Sequence, residues 1–196
     1  MTHIKIGIYG AAGYAGENLV ELLAGHPSVE IIFATSNTYT GELVRPTDLR
    51  YIASDDIDLA GVDVVFLALP HKASAPIAKS ARMAGKKVID LSADLRFDDA
   101  DNYQKWYGVT HPHPEMLADA PYGLPEMHRS KIVGADIVGV PGCYPTATLL
   151  GLYPLLSMKG LSLDAPIIVD AKSGVSGAGR SATATTHFIN AYGDII

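Results

Sequence analysis

Ile4-Lys5-Ile6-Gly7-Ile8-Tyr9-Gly10-Ala11-Ala12-Gly13-Tyr14-Ala15-Gly16 is the stretch that decides the fold class. Ile4, Ile6 and Ile8 alternate as in a short apolar strand, and Leu19, Val20, Leu22 and Leu23 follow the glycines with the spacing of one helix face. A glycine-rich turn between strand and helix lets the backbone approach a pyrophosphate and sets that anion on the helix N-terminus. Gly10, Gly13, Tyr14, Ala15 and Gly16 are therefore candidate cofactor-binding residues. The spacing is GxxGxxG and not GxGxxG, which on its own also fits a tight turn without a ligand. Its place directly after the first strand favours a dinucleotide.

Outward from this unit the chain alternates. His26-Pro27 ends the first helix and Val29–Ala34 reads as the second strand. Thr35, Ser36, Asn37 and Thr38 follow, where an NAD-preferring site places Asp or Glu for the ribose hydroxyl. With no acid there, hydroxyl and amide groups can take a 2′-phosphate, so Thr35 and Ser36 point to NADP(H), beside the plain alternative of a polar loop. Residues 40–61 are irregular, and their acids Asp55, Asp56 and Asp58 read as solvated.

Residues 62–70 form a near-continuous apolar run, as in a parallel strand covered on both faces. A helix over 73–84 closed by Gly85 and a strand over 87–92 come next. Strands and helices alternating at this spacing predict an α/β fold with a doubly wound parallel sheet of Rossmann type. Ligands of such sheets bind beyond the carboxyl ends of the strands. Pro70, His71 and the segment from Ser92 to Arg96 lie there, and Pro70 and Ser92 are assigned to the cofactor. From 97 to 129 the pattern loosens into aromatic, histidine and proline residues. His111-Pro112-His113 reads as a surface loop, and no metal site is expected. Residues 132–140 return to strand.

That strand delivers Cys143, the single cysteine, which has no partner for an internal disulfide. Pro141-Gly142 reads as a tight turn, and Pro145 suits the first turn of a helix running through Thr146 to Leu150. A thiol at a helix N-terminus is favoured as thiolate, and the same N–H groups can hold an oxyanion. Cys143 is thus the candidate nucleophile, against the plainer reading of a small buried thiol. Residues 166–172 read as a further strand leading into Ser173-Gly174-Val175-Ser176-Gly177-Ala178-Gly179-Arg180. Backbone donors in such a loop can cradle a phosphate or a nicotinamide amide. Ser173 and Gly174 are assigned to substrate, Ser176 and Gly177 to cofactor.

Composition narrows the function classes. With 48% apolar and 18% charged residues the chain can bury a sizeable core, and a net charge of −6 without a basic run argues against nucleic acid. One cysteine fits a reducing compartment, and there is neither a signal peptide nor a membrane-length apolar run. A cytoplasmic location with no membrane partner is expected.

Five blocks in order, namely Gly10 to Gly16, Leu91 to Phe97, Tyr122 to Glu126, Pro141 to Thr146 and Asp170 to Arg180, resemble the N-acetyl-γ-glutamyl-phosphate reductases of arginine biosynthesis. The resemblance implies NADP(H)-dependent reduction of a small acyl phosphate to an aldehyde, on the fold shared with aspartate-semialdehyde and glyceraldehyde-3-phosphate dehydrogenases. It implies Cys143 as nucleophile, Arg96 as the phosphoryl-binding arginine, and a homo-oligomer, dimer or tetramer, when complete. It divides the chain into a dinucleotide-binding domain over 1–145 and, over 146–196, the start of an α+β catalytic and dimerisation domain of semialdehyde-dehydrogenase type.

Two departures stand out. Family members often have Ser-Arg where this chain has Ser36-Asn37, and the family's acid/base histidine motif is not found in these 196 residues and is expected beyond Ile196. His187 does not carry that motif and takes no role. These 196 residues alone are accordingly expected to be inactive, with apolar surface exposed along an unfinished sheet. Two alternatives stand beside the main reading: a reductase of carrier-protein-linked aminoadipyl or glutamyl phosphate, and a catalytically silent NADP-binding module.

Overall fold

The computed structural model describes residues 3–55, 57–156, 158, 166–181, 183, 184 and 186. They fall into two compact units, Met1–Pro141 and Gly142–Ile196. The division comes slightly before residue 145, because the helix that starts at Cys143 belongs whole to the second unit.

The first unit is built on a parallel sheet of five strands, β1 (Ile4–Tyr9), β2 (Val29–Ala34), β3 (Val64–Leu67), β4 (Lys87–Asp90) and β5 (Ile137–Gly139). Their order is β2-β1-β3-β4-β5. The chain turns outward from β1 to β2 and then crosses back to β3, so the sheet reverses direction between β1 and β3. At such a switch point the loops after the two strands diverge and leave a crevice for a ligand.

Pairing registers explain how the two faces are covered. Gly7 aligns with Val65 and Tyr9 with Leu67, so Val65 and Leu67 share one face while Ile6 and Ile8 point to the other. On the Ile6 and Ile8 face, α1 (Tyr14–Ala24) buries Val20, and Val44 and Tyr51 close the cluster. On the other face, α2 (Ser74–Met83) lays Ala75, Ala78 and Ala81 against Val65, Leu67 and Val88. Small alanines let this helix approach the sheet closely. Each fully buried Val, Leu or Ile contributes about 1.5–3 kcal/mol. Gly7 has a packing reason of its own: the Phe33 ring occupies the space that a Cβ there would need.

Between 97 and 129 the structure is more ordered than the sequence pattern implied. Helix α3 (Ala100–Tyr107) is capped by Asp99, whose Oδ1 accepts the Asn102 N–H at 2.8 Å, and it ends at Gly108 with φ of 69°. Helix α4 (Pro125–Ile132) starts on a proline, which suits its first turn. Strand β5 is accordingly confined to Ile137–Gly139 instead of running from 132, with Gly134 turning the chain at φ of 86°.

His111 is not on the surface, as the loop reading held, but 2% exposed. Its ring stands edge-on to Tyr103 with centroids 4.7 Å apart, and its Nδ1 accepts the His113 N–H at 3.0 Å. Burial depresses its pKa, so it packs as a neutral ring. Val44 and Tyr51 likewise turn part of the irregular 40–61 segment inward, while Asp55 and Asp58 remain exposed and Asp56 lies outside the described residues.

In the second unit α5 (Cys143–Leu156) opens with the Thr146 N–H bonded to the Gly142 carbonyl at 3.0 Å. It exposes Tyr144, Leu150, Tyr153, Leu155 and Leu156, and Ile167, Ile168 and Val169 are exposed too. Residues 166–174 are not a strand among the described residues: no second strand there supplies the ladder that an apolar run needs to become one. A short 3-10 turn follows at Val175–Ala178.

Candidate functional site

The glycine turn after β1 stands at the switch point between β1 and β3. Gly10 has φ of 73°, and a Cβ on it would overlap the Ala68 carbonyl, so the turn can pass only with glycine. At Gly16 a Cβ would meet the Gly10 carbonyl and Ala11, so α1 sits tight against the turn. Gly13, Tyr14 and Ala15 are exposed, and α1 begins at Gly13 without a side-chain cap. An exposed, uncapped helix start beside a glycine turn fits the pyrophosphate of a dinucleotide.

Thr35 holds this turn, while Ser36 bonds within its own loop. The Thr35 hydroxyl is fully buried and accepts the Gly10 N–H at 3.0 Å, while the Thr35 carbonyl accepts the Ala11 N–H, also at 3.0 Å. The Ser36 hydroxyl accepts the Tyr39 N–H at 3.2 Å. Asn37 is exposed, with its Oδ1 accepting the Ser54 N–H at 3.0 Å.

Pro70 and His71 are exposed just past the carboxyl end of β3. Ser92, past β4, is 2% exposed and committed inward: its hydroxyl donates to Asp90 at 2.8 Å and accepts the Asp94 N–H at 3.1 Å. Asp90 is fully buried, and burial raises its pKa against the opposing pull of the Ser92 hydrogen bonds. Arg96 is anchored at the end of β5, its Nε donating to the Val140 carbonyl at 2.8 Å and its Nη2 to the Leu91 carbonyl at 3.0 Å. A guanidinium has five N–H donors, so most of the fork remains for an anion. The loop reaches this position because β5 ends in Gly139, where a side chain would overlap the Leu95 carbonyl. Pro121 and Gly123 pair with the outer side of Gly139, fixing the Tyr122-Gly123-Leu124 stretch beside the strand that precedes the cysteine.

In the second unit Cys143 is a free, exposed thiol at the first residue of α5. It opens on a cleft of about 550 Å³ that is also lined by Lys172, Ser173, Gly174, Ser176 and Gly177. The cysteine and the second glycine-rich loop are thus brought together on one cleft. The loop is tight: a Cβ on Gly177 would press on the Ser173 hydroxyl, and Gly179 adopts φ of 87°. Lys172, absent from the sequence-based assignment, pairs with Asp170 beside the cleft. Only its following the apolar run marked it beforehand. His187 lies outside the described residues. Among the described residues no group of three or more His, Cys, Asp and Glu has metal-site geometry, and no helix is long and apolar enough to cross a membrane.

Known proteins match both units. Residues 5–135 match the family described as semialdehyde dehydrogenase, NAD binding domain, and residues 143–196 the semialdehyde dehydrogenase dimerisation domain. The N-acetyl-γ-glutamyl-phosphate reductases of Desulforudis audaxviator and Moorella thermoacetica are each 48% identical over 197 residues, covering 94% and 95% of this chain and 56% of each relative. The chain therefore spans little more than half the length of these relatives.

Among solved structures, aspartate semialdehyde dehydrogenase II of Vibrio cholerae, complexed with ASA, superposes with a TM-score of 0.68 at 22% identity, over 92% of this chain and 49% of that one. The Candida albicans aspartate semialdehyde dehydrogenase with NADP gives a TM-score of 0.56 at 21% identity, over 79% and 47%. These two show the shared fold. With the sheet order, the glycine turn and both matched domains in agreement, the chain belongs to the semialdehyde dehydrogenase family.

Proposed function

We propose that the protein of which these residues form part reduces N-acetyl-γ-glutamyl phosphate to N-acetylglutamate 5-semialdehyde with release of phosphate, using NADPH. The observation that carries the reading is the exposed Cys143 thiol at the start of α5, opening on a cleft lined by the glycine-rich loop. The 48% identity to reductases of that name supports the choice of substrate.

Cys143 attacks the acyl carbon as thiolate, the C–O bond to phosphate breaks, and inorganic phosphate leaves a thioester on the sulfur. Backbone N–H groups at the start of α5 hold the oxyanion of the addition step. Arg96 takes the phosphoryl group, for which a guanidinium fork is suited. Ser173 and Gly174 would bind substrate, while Gly10, Gly13, Tyr14, Ala15, Gly16, Pro70, Ser176 and Gly177 would hold the cofactor, with the inward-turned Ser92 acting through the loop after β4. Thr35 and Ser36 belong to the same set, with Thr35 acting through the glycine turn. A nicotinamide bound there would supply the hydride that reduces the thioester. The thiohemiacetal then collapses to aldehyde, an acid supplies the proton, and Cys143 is regenerated.

NADP preference is supported by the lack of an acid in Thr35-Ser36-Asn37-Thr38. Homo-oligomerisation is supported by the match to a dimerisation domain and by the apolar side chains exposed on α5. The test is phosphate-dependent oxidation of N-acetylglutamate semialdehyde by the full-length enzyme, with NADP+ and NAD+ compared. Turnover with NADP+ is expected, and none with either cofactor would overturn the reading. Assay of carrier-protein-linked aminoadipyl phosphate alongside separates the substrate classes.

A further inference from the structure

Helix α2 begins at Ala73, whose side chain cannot cap it. Its buried first main-chain donors are met from elsewhere: the Asp94 carboxylate, on the loop after β4, accepts the N–H groups of Ser74 at 3.0 Å and Ala75 at 3.1 Å through Oδ2. Its Oδ1 accepts the Lys72 N–H at 2.7 Å. Lys72 is the one non-glycine residue with positive φ, 74°, among the described residues. A lysine costs free energy in that conformation and persists there only when its surroundings over-determine it. Tyr103 of α3 reaches the same Oδ1 with its hydroxyl at 3.3 Å.

A return contact runs the other way, with the Ala93 N–H donating to His71 Nδ1 at 3.0 Å. Asp94 is fully buried, and Arg96 lies two residues beyond it. The carboxylate thus binds the loop after β3, with Pro70 and His71, to the loop after β4, with Ser92 and Arg96. A carboxylate with several N–H donors is a stronger clamp than any neutral side chain of its size.

We propose that Asp94 is a positioning residue of the reductase: by locking these two loops to each other it sets the Arg96 fork and the 70–72 backbone in the geometry that receives phosphate and cofactor. This rests on the reductase reading above, and the test separates the two. Full-length wild type, Asp94→Asn, Tyr103→Phe and Asp94→Asn with Lys72→Gly are compared in three ways: KM for inorganic phosphate against kcat in the oxidative direction, NADPH affinity by fluorescence, and amide exchange at residues 72–75. Asparagine turns an NH2 group towards donors that need an acceptor, while glycine adopts the Lys72 conformation unaided.

The expected result for Asp94→Asn is a KM for phosphate raised tenfold or more, kcat lowered less than threefold, and faster exchange at Lys72, Ser74 and Ala75. Adding Lys72→Gly should recover part of the KM. Unchanged KM with faster exchange would reduce Asp94 to a helix cap and overturn the proposal, as would unchanged exchange. If Asp94→Asn fails to fold, Tyr103→Phe decides, with a KM raised two- to fivefold expected and an unchanged KM overturning the proposal. If wild type shows no reductase activity, the functional reading fails by itself, and NADPH affinity takes the place of KM: a loss in Asp94→Asn supports the clamp, and unchanged affinity overturns it.

Discussion

The Thr35 hydroxyl lies 3.0 Å from the Gly10 amide nitrogen, so the end of β2 holds the glycine turn that follows β1. Thr35 is fully buried and Gly10 half-buried, so an unpartnered N–H there costs about 1 kcal/mol, the lower end of the range for a buried donor. Thr35→Val, equal in shape, should therefore destabilise the protein by about that amount in a urea titration. It should also weaken NADPH and NADH to the same degree, because the hydroxyl acts through the turn. Selective loss of NADPH would instead place a 2′-phosphate on Thr35.

Gly16→Ala tests the turn from its other side. The new methyl would press on the Gly10 carbonyl and Ala11, both main chain and unable to step aside. Overpacking of this kind costs about 1–3 kcal/mol, and the shift of α1 it demands moves the donors that face a pyrophosphate. A lower midpoint in denaturant together with at least tenfold weaker cofactor binding is expected. A variant with wild-type cofactor affinity would contradict the role given to this helix start.

Cys143→Ala should abolish phosphate-dependent aldehyde oxidation in the full-length enzyme while leaving NADPH affinity within about twofold, since an exposed side chain adds little to the fold. Mass spectrometry after alkylation of wild type, with and without substrate, checks the same assignment. Turnover by the alanine variant would refute it.

Tyr103 makes an alkaline prediction. Its pKa is pushed up from the usual 10.0 to about 12, first by burial and then by the Asp94 charge that its hydroxyl faces. The unfolded chain loses this proton near pH 10 while the folded one keeps it, so the contribution of Tyr103 is present below pH 10 and is lost as pH rises through about 12. Thermal melts should fall across that window for wild type and fall less steeply for Tyr103→Phe. Parallel curves would show that the phenol titrates freely.

Lys72→Gly alone should raise stability. The left-handed backbone at φ of 74° carries a cost of about 1 kcal/mol for a residue with a Cβ, and glycine removes it while losing part of the gain to chain entropy. A small upward shift of the melting temperature is expected, and a drop would mean that the lysine side chain contributes more than its backbone costs.

What could be read in advance was local. The alternation of Ile4, Ile6 and Ile8 and the apolar run of β3 state their environment residue by residue, and the two glycine-rich loops announce turns that only glycine can make. The α3 signals were also local, Asp99 as cap and Gly108 as stop, but they sat among Tyr103, Trp106 and Tyr107, whose aromatic character reads as loop or strand. His111 could not be placed because its burial depends on Tyr103, eight positions away on a helix that had gone unread. The 166–172 run shows the converse: apolar character specifies a strand only where a neighbouring strand answers it, and none does among the described residues. The main-chain part of the Asp94 clamp leaves no trace in any window of sequence, since those donors lie about twenty residues upstream and become neighbours only through the parallel pairing of β3 with β4.

That clamp also bears on how this edge of the molecule opens. A carboxylate at zero exposure whose acceptors are filled from α2, from α3 and from a left-handed lysine cannot lose one contact without stranding a charge away from water. The rim of the sheet should therefore open in one cooperative step, with the start of α2 and the middle of α3 released together, and a protease or an exchanging deuteron should meet the whole rim open or find none of it accessible.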